Sequence, residues 1–292
     1  MIQYFMRMKI GFIGQGWIGK NYADNFEKRG FAVVRYSLEE PHVKNGDKIG
    51  ECDIVFIAVP TPTTPKGFDA SIVEESLALI ADKKIAVIKS TMLPGTTKRL
   101  QAQNPKITVL YSPEFLSEAT AAHDAARPFS NIIGIPEETK KYRAAAEKVL
   151  KTLPEAPFSL ICDSDEAEII KYAHNVSAYT QIVTFNLMYD LAQTMGHDWA
   201  RIGQALAADP FISSKYANPV HKSGRGAGGR CFIKDFAAFA ETYCKKVDDN
   251  AGGALLDALA KKNADLLIRS GKDTDLVRQV YGNEATYSYA KS

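Results

Sequence analysis

The chain has 292 residues, a length that fits two domains better than one. It is 46% hydrophobic and 24% charged, as ordinary globular proteins are, and a net charge of +2 gives no reason to expect a nucleic acid or an anionic membrane as partner. The sequence has no apolar run of membrane-spanning length and no signal-peptide pattern, and its four cysteines are widely separated. We therefore expect a cytoplasmic protein without a metal site.

Seven short apolar segments alternate with helical stretches over the first half of the chain. They are residues 9–14, 31–36, 53–59, 84–90, 107–112, 131–135 and 158–162. Unbroken apolar strands separated by helices predict a parallel sheet that is covered by helices on both faces. We interpret residues 1–7, which precede the first strand, as a short extension.

The pattern changes after the seventh segment. Residues 164–195 contain neither proline nor glycine, Ser164 or Asp165 is a suitable N-cap, and Gly196 is a suitable stop. These features predict one long helix. Residues 271–292, by contrast, show no clear period.

Two further segments, residues 198–208 and 233–270, also have helical patterns, and the second is interrupted at 248–253. The predicted fold class is therefore α/β. We expect a Rossmann-type, doubly wound parallel sheet in residues 1–163 and an all-helical domain, built on the long helix, in residues 164–292.

A glycine-rich loop follows the first strand directly and leads into a helical stretch. Its residues, all candidates for contact with a dinucleotide, are Gly14, Gln15, Gly16, Trp17, Ile18 and Gly19. Glycines at this spacing permit a tight turn, the approach of a pyrophosphate and close packing of helix on strand. Because the pattern lies between a first strand and a first helix, it predicts a dinucleotide site.

The second strand ends without the acidic residue that usually binds the ribose of NAD. Ser37 stands at that position. Arg35 nearby favours the additional phosphate of NADP, whereas Glu39 and Glu40 oppose it. We expect NAD as the cofactor, with NADP left open.

Three more loops follow predicted strands, at residues 59–65, 89–97 and 111–119. The carboxyl ends of parallel strands lie at one edge of a sheet, so these loops should converge on one crevice. On the long helix, Lys171 and Asn175 are four residues apart and share a face.

A second glycine-rich segment, GRGAGGRCFIKD, occupies residues 224–235. Cys231 follows its glycines, and Lys234 follows three residues later. A thiol on such a loop near a cation has the setting of a nucleophile. The alternative interpretation is a flexible turn before a helix, with an incidental cysteine.

Taken in order, these motifs resemble those of the nucleotide-sugar 6-dehydrogenases, such as UDP-glucose and GDP-mannose dehydrogenase. The resemblance covers about residues 9–270 and rests on GQGWIG, AVPTP, KSTMLPGTT, SPEFLSEA, KYAHN, DPFISSKYANP and GAGGRCFIKD. It implies oxidation of a primary alcohol to a carboxylate in two hydride transfers, without release of the aldehyde. Cys231 would add to the aldehyde and carry a thioester, and Lys171, with Asn175 as a second donor, would stabilise the alkoxide.

The resemblance implies roles for other matching residues as well. Glu118 would assist thioester hydrolysis, and Asp235 and Thr91 would hold a water. Beyond the glycine loop, the implied cofactor contacts are Ser37, Val59, Pro60, Thr61, Ser90, Thr91, Glu118 and Lys234. The implied substrate contacts are Glu114, Phe115, Leu116, Lys171, Asn175, Tyr216, Asn218, Gly228, Arg230 and Cys231.

The chain also departs from the family pattern. The family continues into another α/β domain that binds the nucleotide half of the substrate, so this chain is either a truncated piece or a short form with a smaller substrate. Ala119, Phe211, Arg230 and Ile233 replace residues usual in the family. We hypothesise that Arg225 and Arg230 bind an anionic group of the substrate.

The sequence therefore predicts a homodimeric dehydrogenase that acts on a small molecule, a sugar or nucleotide sugar. One alternative is a single two-electron oxidation, as in the β-hydroxyacid and 6-phosphogluconate dehydrogenases, which use a helix lysine without a cysteine. Another is a non-catalytic dinucleotide-binding protein. In that case Lys171 and Asn175 would form a solvated helix face, and Glu118 would be a carboxylate at a helix N-terminus.

Overall fold

A computed structural model describes residues 8–282 of the chain. The predicted extension at residues 1–7 and the end of the chain, residues 283–292, lie outside the described residues. The described residues form two compact units, one containing 8–61 and 69–171, the other 62–68 and 172–282. The division falls inside the long helix, whereas the domain boundary predicted from the sequence lies at the start of that helix.

The first unit is built on a seven-stranded sheet with the order β2-β1-β3-β4-β5-β6-β7. A strand forms in each of the seven apolar segments. The strands are β1 (Lys9–Ile13), β2 (Ala32–Tyr36), β3 (Ile54–Ile57), β4 (Ile85–Ile88), β5 (Thr108–Tyr111), β6 (Ser130–Ile135) and β7 (Phe158–Asp163). Ile10 of β1 pairs with Val33 of β2 and Ile54 of β3, all in parallel.

Helices connect the strands. They are α1 (Trp17–Lys28), α2 (Gly46–Ile49), α3 (Ser71–Leu77), α4 (Thr96–Gln103), α5 (Ala121–Ala126) and α6 (Lys140–Leu150). Three fully buried phenylalanines join α1 to the sheet. Phe12 stacks on Phe56 with ring centroids 5.1 Å apart, and Phe26 meets Phe12 edge-on at 5.3 Å. Burial of each ring contributes on the order of 2 kcal/mol to folding.

The prediction of an all-parallel sheet is wrong at one junction. β5 and β6 pair antiparallel through Tyr111 and Gly134, although β6 and β7 are parallel again. The helix between β5 and β6, α5, has six residues and packs on α1. The chain then enters β6 from the edge of the sheet at which β5 ended, so the two strands run in opposite directions.

The predicted long helix is present as α7 (Ser164–Thr194), which has 31 residues. Gly196, with a φ of +74°, follows its end as predicted. The remaining helices are α8 (Trp199–Ala208), α9 (Gly229–Lys246), α10 (Asn250–Ser270) and α11 (Thr274–Tyr281). The predicted α/β fold class with a following helical region is therefore confirmed.

The core of the second unit contains the stacked rings of Tyr179 on α7 and Phe236 on α9, whose centroids are 3.9 Å apart. α11 lies in a segment without a clear sequence period, and buries Val277 and Val280 against Ile233 and Leu267. Two antiparallel pairs of two-residue strands also occur, Thr63–Thr64 with Gly67–Phe68 and Val220–His221 with Gly224–Arg225. Within residues 8–282, no helix has both the length and the apolarity needed to cross a membrane.

A buried glutamate anchors the start of α7 within the first unit. The Glu168 carboxylate accepts hydrogen bonds from the N–H groups of Gly95 and Thr97 and from the Thr97 hydroxyl, at 2.6 to 2.9 Å. Gly95 is the N-cap of α4 and has no capping side chain of its own, so Glu168 takes over that function. Burial nevertheless raises the pKa of Glu168 from 4.5 to about 7.

This pKa predicts a pH dependence of stability. Because the folded state holds the Glu168 proton more tightly than the unfolded state, the contribution of Glu168 to stability should fall as pH rises from 4.5 through about 7. We expect the difference in unfolding free energy between the native chain and Glu168→Gln to decrease by roughly 1–3 kcal/mol over this range. Urea denaturation at a series of pH values measures it, with the exposed Glu147→Gln as control. Parallel pH profiles for the native chain and Glu168→Gln would contradict the prediction.

Candidate active site

The three glycines of the turn after β1 and the first turn of α1 differ in what a Cβ atom would meet. Gly14 has a φ of +89°, and a Cβ there would lie 2.3 Å from the carbonyl oxygen of Ala58. A Cβ at Gly19 would lie 1.9 Å from the carbonyl oxygen of Gly14, but a Cβ at Gly16 would meet no atom within 4 Å. The fold thus requires Gly14 and Gly19, whereas Gly16 borders open space.

The residues of this turn fit a dinucleotide. α1 begins at Trp17, and its N-cap, Gly16, supplies no capping side chain. The N–H groups of a helix's first turn attract an anion such as a pyrophosphate. Gly16, next to these groups, has no side chain that would block the anion. Gln15 is turned back on the loop, where its amide donates to the Gly14 carbonyl at 3.2 Å. Ile18, the remaining loop residue, packs against the core of the first unit.

Arg35 and Ser37, the two side chains considered for the choice between NAD and NADP, both form hydrogen bonds within the protein. Arg35 donates to Asp24 at 2.7 Å and to both carboxylate oxygens of Glu27 at 2.9 and 2.7 Å. The Ser37 hydroxyl donates to the carbonyl of Glu39 at 2.9 Å. The cation that favoured NADP in the sequence is therefore already paired with two carboxylates.

The loops after β3 and β4 are joined by two buried hydroxyls. Ser90 accepts from the N–H of Val59 at 2.9 Å and donates to its carbonyl at 2.7 Å. Thr61 donates to the carbonyl of Thr91 at 3.0 Å, and Pro60 between these contacts is exposed. The structure thus brings together the predicted cofactor residues from two strand ends.

The loop after β5 contacts the predicted catalytic lysine. Lys171 is buried, donates to the carbonyl of Glu114, and places its ammonium 5.4 Å from the ring centroid of Phe115. One oxygen of the buried Glu114 carboxylate accepts from the N–H of Leu116. The other oxygen, Oε2, has no hydrogen-bond partner among the described residues. Glu118 begins a short 3-10 turn and is exposed.

Sequence reasoning missed a second buried lysine in the first unit. Lys89 follows β4, donates to the Ser112 hydroxyl at 3.2 Å, and lies 4.3 Å from the ring centroid of Tyr22. Burial lowers its pKa to about 8, with Glu114 opposing the change and Lys171 adding to it. The available signal was a lysine placed directly at the end of an apolar strand.

In the second unit, Asp235 connects two helices. It is 1% exposed, and its two carboxylate oxygens accept from Asn175 on α7 at 2.6 Å and from Lys234 on α9 at 2.5 Å. The resemblance assigned Asn175 a contact with the substrate oxygen, and the structure shows its contact with Asp235. Cys231 is exposed and lies one helical turn before Asp235, so the two share a face of α9.

Three other predicted substrate residues of this unit lie on or against α9, and the fourth, Asn218, bonds a neighbour in the chain. Gly228 is the N-cap of α9, and Arg230 is exposed on its first turn. Tyr216 contacts Phe232 edge-on with ring centroids 6.0 Å apart, and Asn218 accepts from the N–H of Val220 at 3.2 Å.

The structure does not favour Arg225 as a ligand of the hypothesised anion, because its guanidinium already has partners within the protein. Its guanidinium is paired with Asp190 at 2.7 Å and donates to the side chain and carbonyl of Asn186. Of the two arginines, the exposed Arg230 is the one turned to solvent.

Comparison with known proteins identifies the family. The model of the UDP-glucose/GDP-mannose dehydrogenase family matches at its NAD binding domain, residues 42–153, and at its central domain, residues 165–284. The chain belongs to this family. The resemblance found in the sequence is therefore confirmed.

Individual relatives agree. The UDP-glucose 6-dehydrogenase AglM of Haloferax volcanii is 27% identical over 281 residues, which cover 79% of this chain and 64% of that protein. A UDP-glucose dehydrogenase structure from Pyrobaculum islandicum matches with a TM-score of 0.74 and 26% identity, over 90% of this chain and 71% of that one. The 3-hydroxyisobutyrate dehydrogenase of Mycobacterium tuberculosis shares the fold at 14% identity, with a TM-score of 0.69 over 94% of this chain and 99% of that one. Three matched curated relatives are longer proteins, of which the chain spans 30%, 45% and 64%.

The glycine loop gives a matched pair of variants. Gly16→Ala should fold normally, because its Cβ meets open space, but should weaken dinucleotide binding by about tenfold or more, because the Cβ occupies the pyrophosphate approach. Gly19→Ala should instead lower the unfolding temperature, because its Cβ meets backbone. Calorimetric titration with NAD and thermal unfolding measure the two effects. Native NAD affinity in folded Gly16→Ala would contradict the assignment.

Proposed function

We propose that this chain catalyses the NAD-dependent oxidation of a primary alcohol of a sugar or nucleotide sugar to the carboxylate, through Cys231. The observation that carries the proposal is that Asp235, on the helix that presents Cys231, is hydrogen-bonded both to Lys234 of that helix and to Asn175 of α7. Membership of the UDP-glucose/GDP-mannose dehydrogenase family supports it.

The overall reaction consumes one alcohol, two NAD⁺ and one water, and yields one carboxylate, two NADH and three protons. NAD, when bound, accepts the two hydrides that leave the substrate carbon. Between these transfers the Cys231 sulfur bonds to the aldehyde carbon as a thiohemiacetal, and loss of the second hydride leaves a thioester. Water then displaces the sulfur, which releases the acid and restores the cysteine.

Lys171 would stabilise the alkoxide. An ammonium has three donors, and the Glu114 carbonyl takes one of those on Lys171, which orients the side chain. Burial strengthens the interaction of this cation with an oxyanion. Asn175 would act as a second donor, and Glu118 would assist the water that hydrolyses the thioester.

Asp235 would hold a water together with Thr91. Hydrogen bonds from Lys234 and Asn175 fix the orientation of the carboxylate, whose oxygens can also accept from a water proton. Lys234 would contact the cofactor.

NAD is the proposed cofactor, with its pyrophosphate at Gly14, Gly16 and Gly19. Pairing of Arg35 with Asp24 and Glu27 supports NAD over NADP, because a 2′-phosphate would have to compete with two carboxylates for the guanidinium. The homodimer, the cytoplasmic location and the identity of the small-molecule substrate stay predictions.

A single two-electron oxidation differs from this proposal in stoichiometry. The native chain, mixed with NAD and a panel of nucleotide sugars, sugar phosphates and sugars, should form two NADH for each acid. Cys231→Ala should form at most one, because the second transfer needs the covalent adduct. Absorbance of reduced nicotinamide and chromatography of the acid measure both products, with Cys244→Ala on the same helix as control. Acid formation by Cys231→Ala at the native rate would remove the covalent mechanism.

A further inference from the structure

The glycine loop before Cys231 is held by one corner of the second unit, formed by the end of α10 and the turn before α11. The buried side chain of Asn263 on α10 forms two hydrogen bonds with the backbone of Ala227. It accepts from the Ala227 N–H at 2.7 Å and donates to the Ala227 carbonyl at 3.1 Å. Ser270, the last residue of α10, accepts from the N–H of Arg225 at 3.0 Å.

The turn after α10 continues the same pattern. Lys272, which is buried, donates to the carbonyl of Gly226 at 2.9 Å. Asp273 accepts from the N–H of Gly229, the first residue of α9, at 2.7 Å. We name the four side chains Asn263, Ser270, Lys272 and Asp273 the corner clamp. It bonds the backbone of Arg225, Gly226, Ala227 and Gly229.

The alternating glycines of the loop face the corner clamp. A Cβ at Gly224 would lie 2.6 Å from the Ser270 hydroxyl, and one at Gly228 would lie 2.1 Å from the Asp273 carboxylate. Gly226 has a φ of +88°, and its Cβ would lie 3.0 Å from the Asn263 side-chain oxygen. The glycines thus let the loop approach these side chains, a reason that the sequence motif alone does not reveal.

The turn itself has an unusual backbone. Gly271 has a φ of +69°, and Asp273, which is not a glycine, has a φ of +52°. A left-handed residue other than glycine persists where its surroundings fix it, and such residues concentrate at functional sites. Here the conformation directs the Asp273 carboxylate to the start of α9.

We propose that Asn263, Lys272 and Asp273 are positioning residues for Cys231. Gly229, Arg230 and Cys231 are exposed, so burial contributes little to fixing the first turn of α9. The hydrogen bonds of the corner clamp fix this turn instead. Because Cys231 follows Gly229 by two residues, they also determine the direction of its thiol. A covalent reaction needs an accurately placed nucleophile, because a displacement of about 1 Å can slow the reaction about 100-fold. The inference rests on the proposed function of Cys231 and adds residues outside the cysteine motif.

The test compares Asp273→Ala with Asp273→Asn. Asparagine tolerates the left-handed conformation and keeps an acceptor oxygen, whereas alanine does neither. Asp265→Ala on α10, where Asp265 pairs with Arg269, is the matched control. Asn263→Ala is a second variant. Thermal unfolding verifies that each variant folds.

Two readouts separate positioning from a merely structural role. Hydrogen–deuterium exchange of the amides of Arg225, Ala227 and Gly229 reports the hydrogen bonds of the corner clamp. The rate of NADH formation from the aldehyde substrate reports the step that needs Cys231. In Asp273→Ala we expect faster exchange at Gly229 and a rate from the aldehyde about 10- to 100-fold lower, with the rate of the first oxidation, from the alcohol to the aldehyde, retained. Asp273→Asn should restore most of the loss.

Unchanged oxidation of the aldehyde in folded Asp273→Ala and Asn263→Ala would overturn the inference, even with faster exchange. An equal loss in both oxidation steps would overturn it too, because that result indicates general damage. Failure of the proposed function has a different signature: Cys231→Ala would then oxidise the aldehyde as fast as the native chain, whatever the corner variants do.

Discussion

The buried carboxylate of Asp235 is the constraint on which the candidate site in the second unit depends. A carboxylate removed from water is costly unless polar partners surround it. Asp235 has two, Asn175 from α7 and Lys234 from its own helix, so its burial favours the register of the two helices that brings Asn175 to Asp235. One turn along α7, the stacked rings of Tyr179 and Phe236 stabilise the same register. The hydrogen bonds of Asp235 and the packing of the aromatic core therefore both stabilise the observed position of α9, which carries Cys231.

Glycines near the two candidate sites serve three different purposes. Gly14 and Gly19 let a strand and a helix pack closely, Gly16 leaves the backbone open to a ligand, and the loop before Cys231 approaches side chains of its own unit. Only the second purpose concerns a ligand directly. A glycine motif therefore has to be interpreted position by position, by what a Cβ would meet.

Periodicity was enough to predict the seven strands, the long helix and its glycine stop, because each rests on local pattern and capping. Periodicity did not predict the antiparallel pairing of β6, because strand direction depends on the path of the whole connection and not on a local pattern. Buried charges were missed for a related reason. In the sequence, Lys89 and Glu168 are charged residues next to apolar ones. Only the packed structure shows that the side chains of both are buried. The contacts of Arg225 likewise come from residues far away in the sequence.

The most direct test of the central claim is to trap the covalent adduct. The native chain would be mixed with NAD and a turned-over substrate, quenched in acid within milliseconds, and digested for mass spectrometry. We predict that the peptide containing Cys231 gains the mass of the substrate's acyl group, and that the adduct disappears as acid accumulates. Steady acid formation with no adduct on that peptide at any quench time would contradict the mechanism.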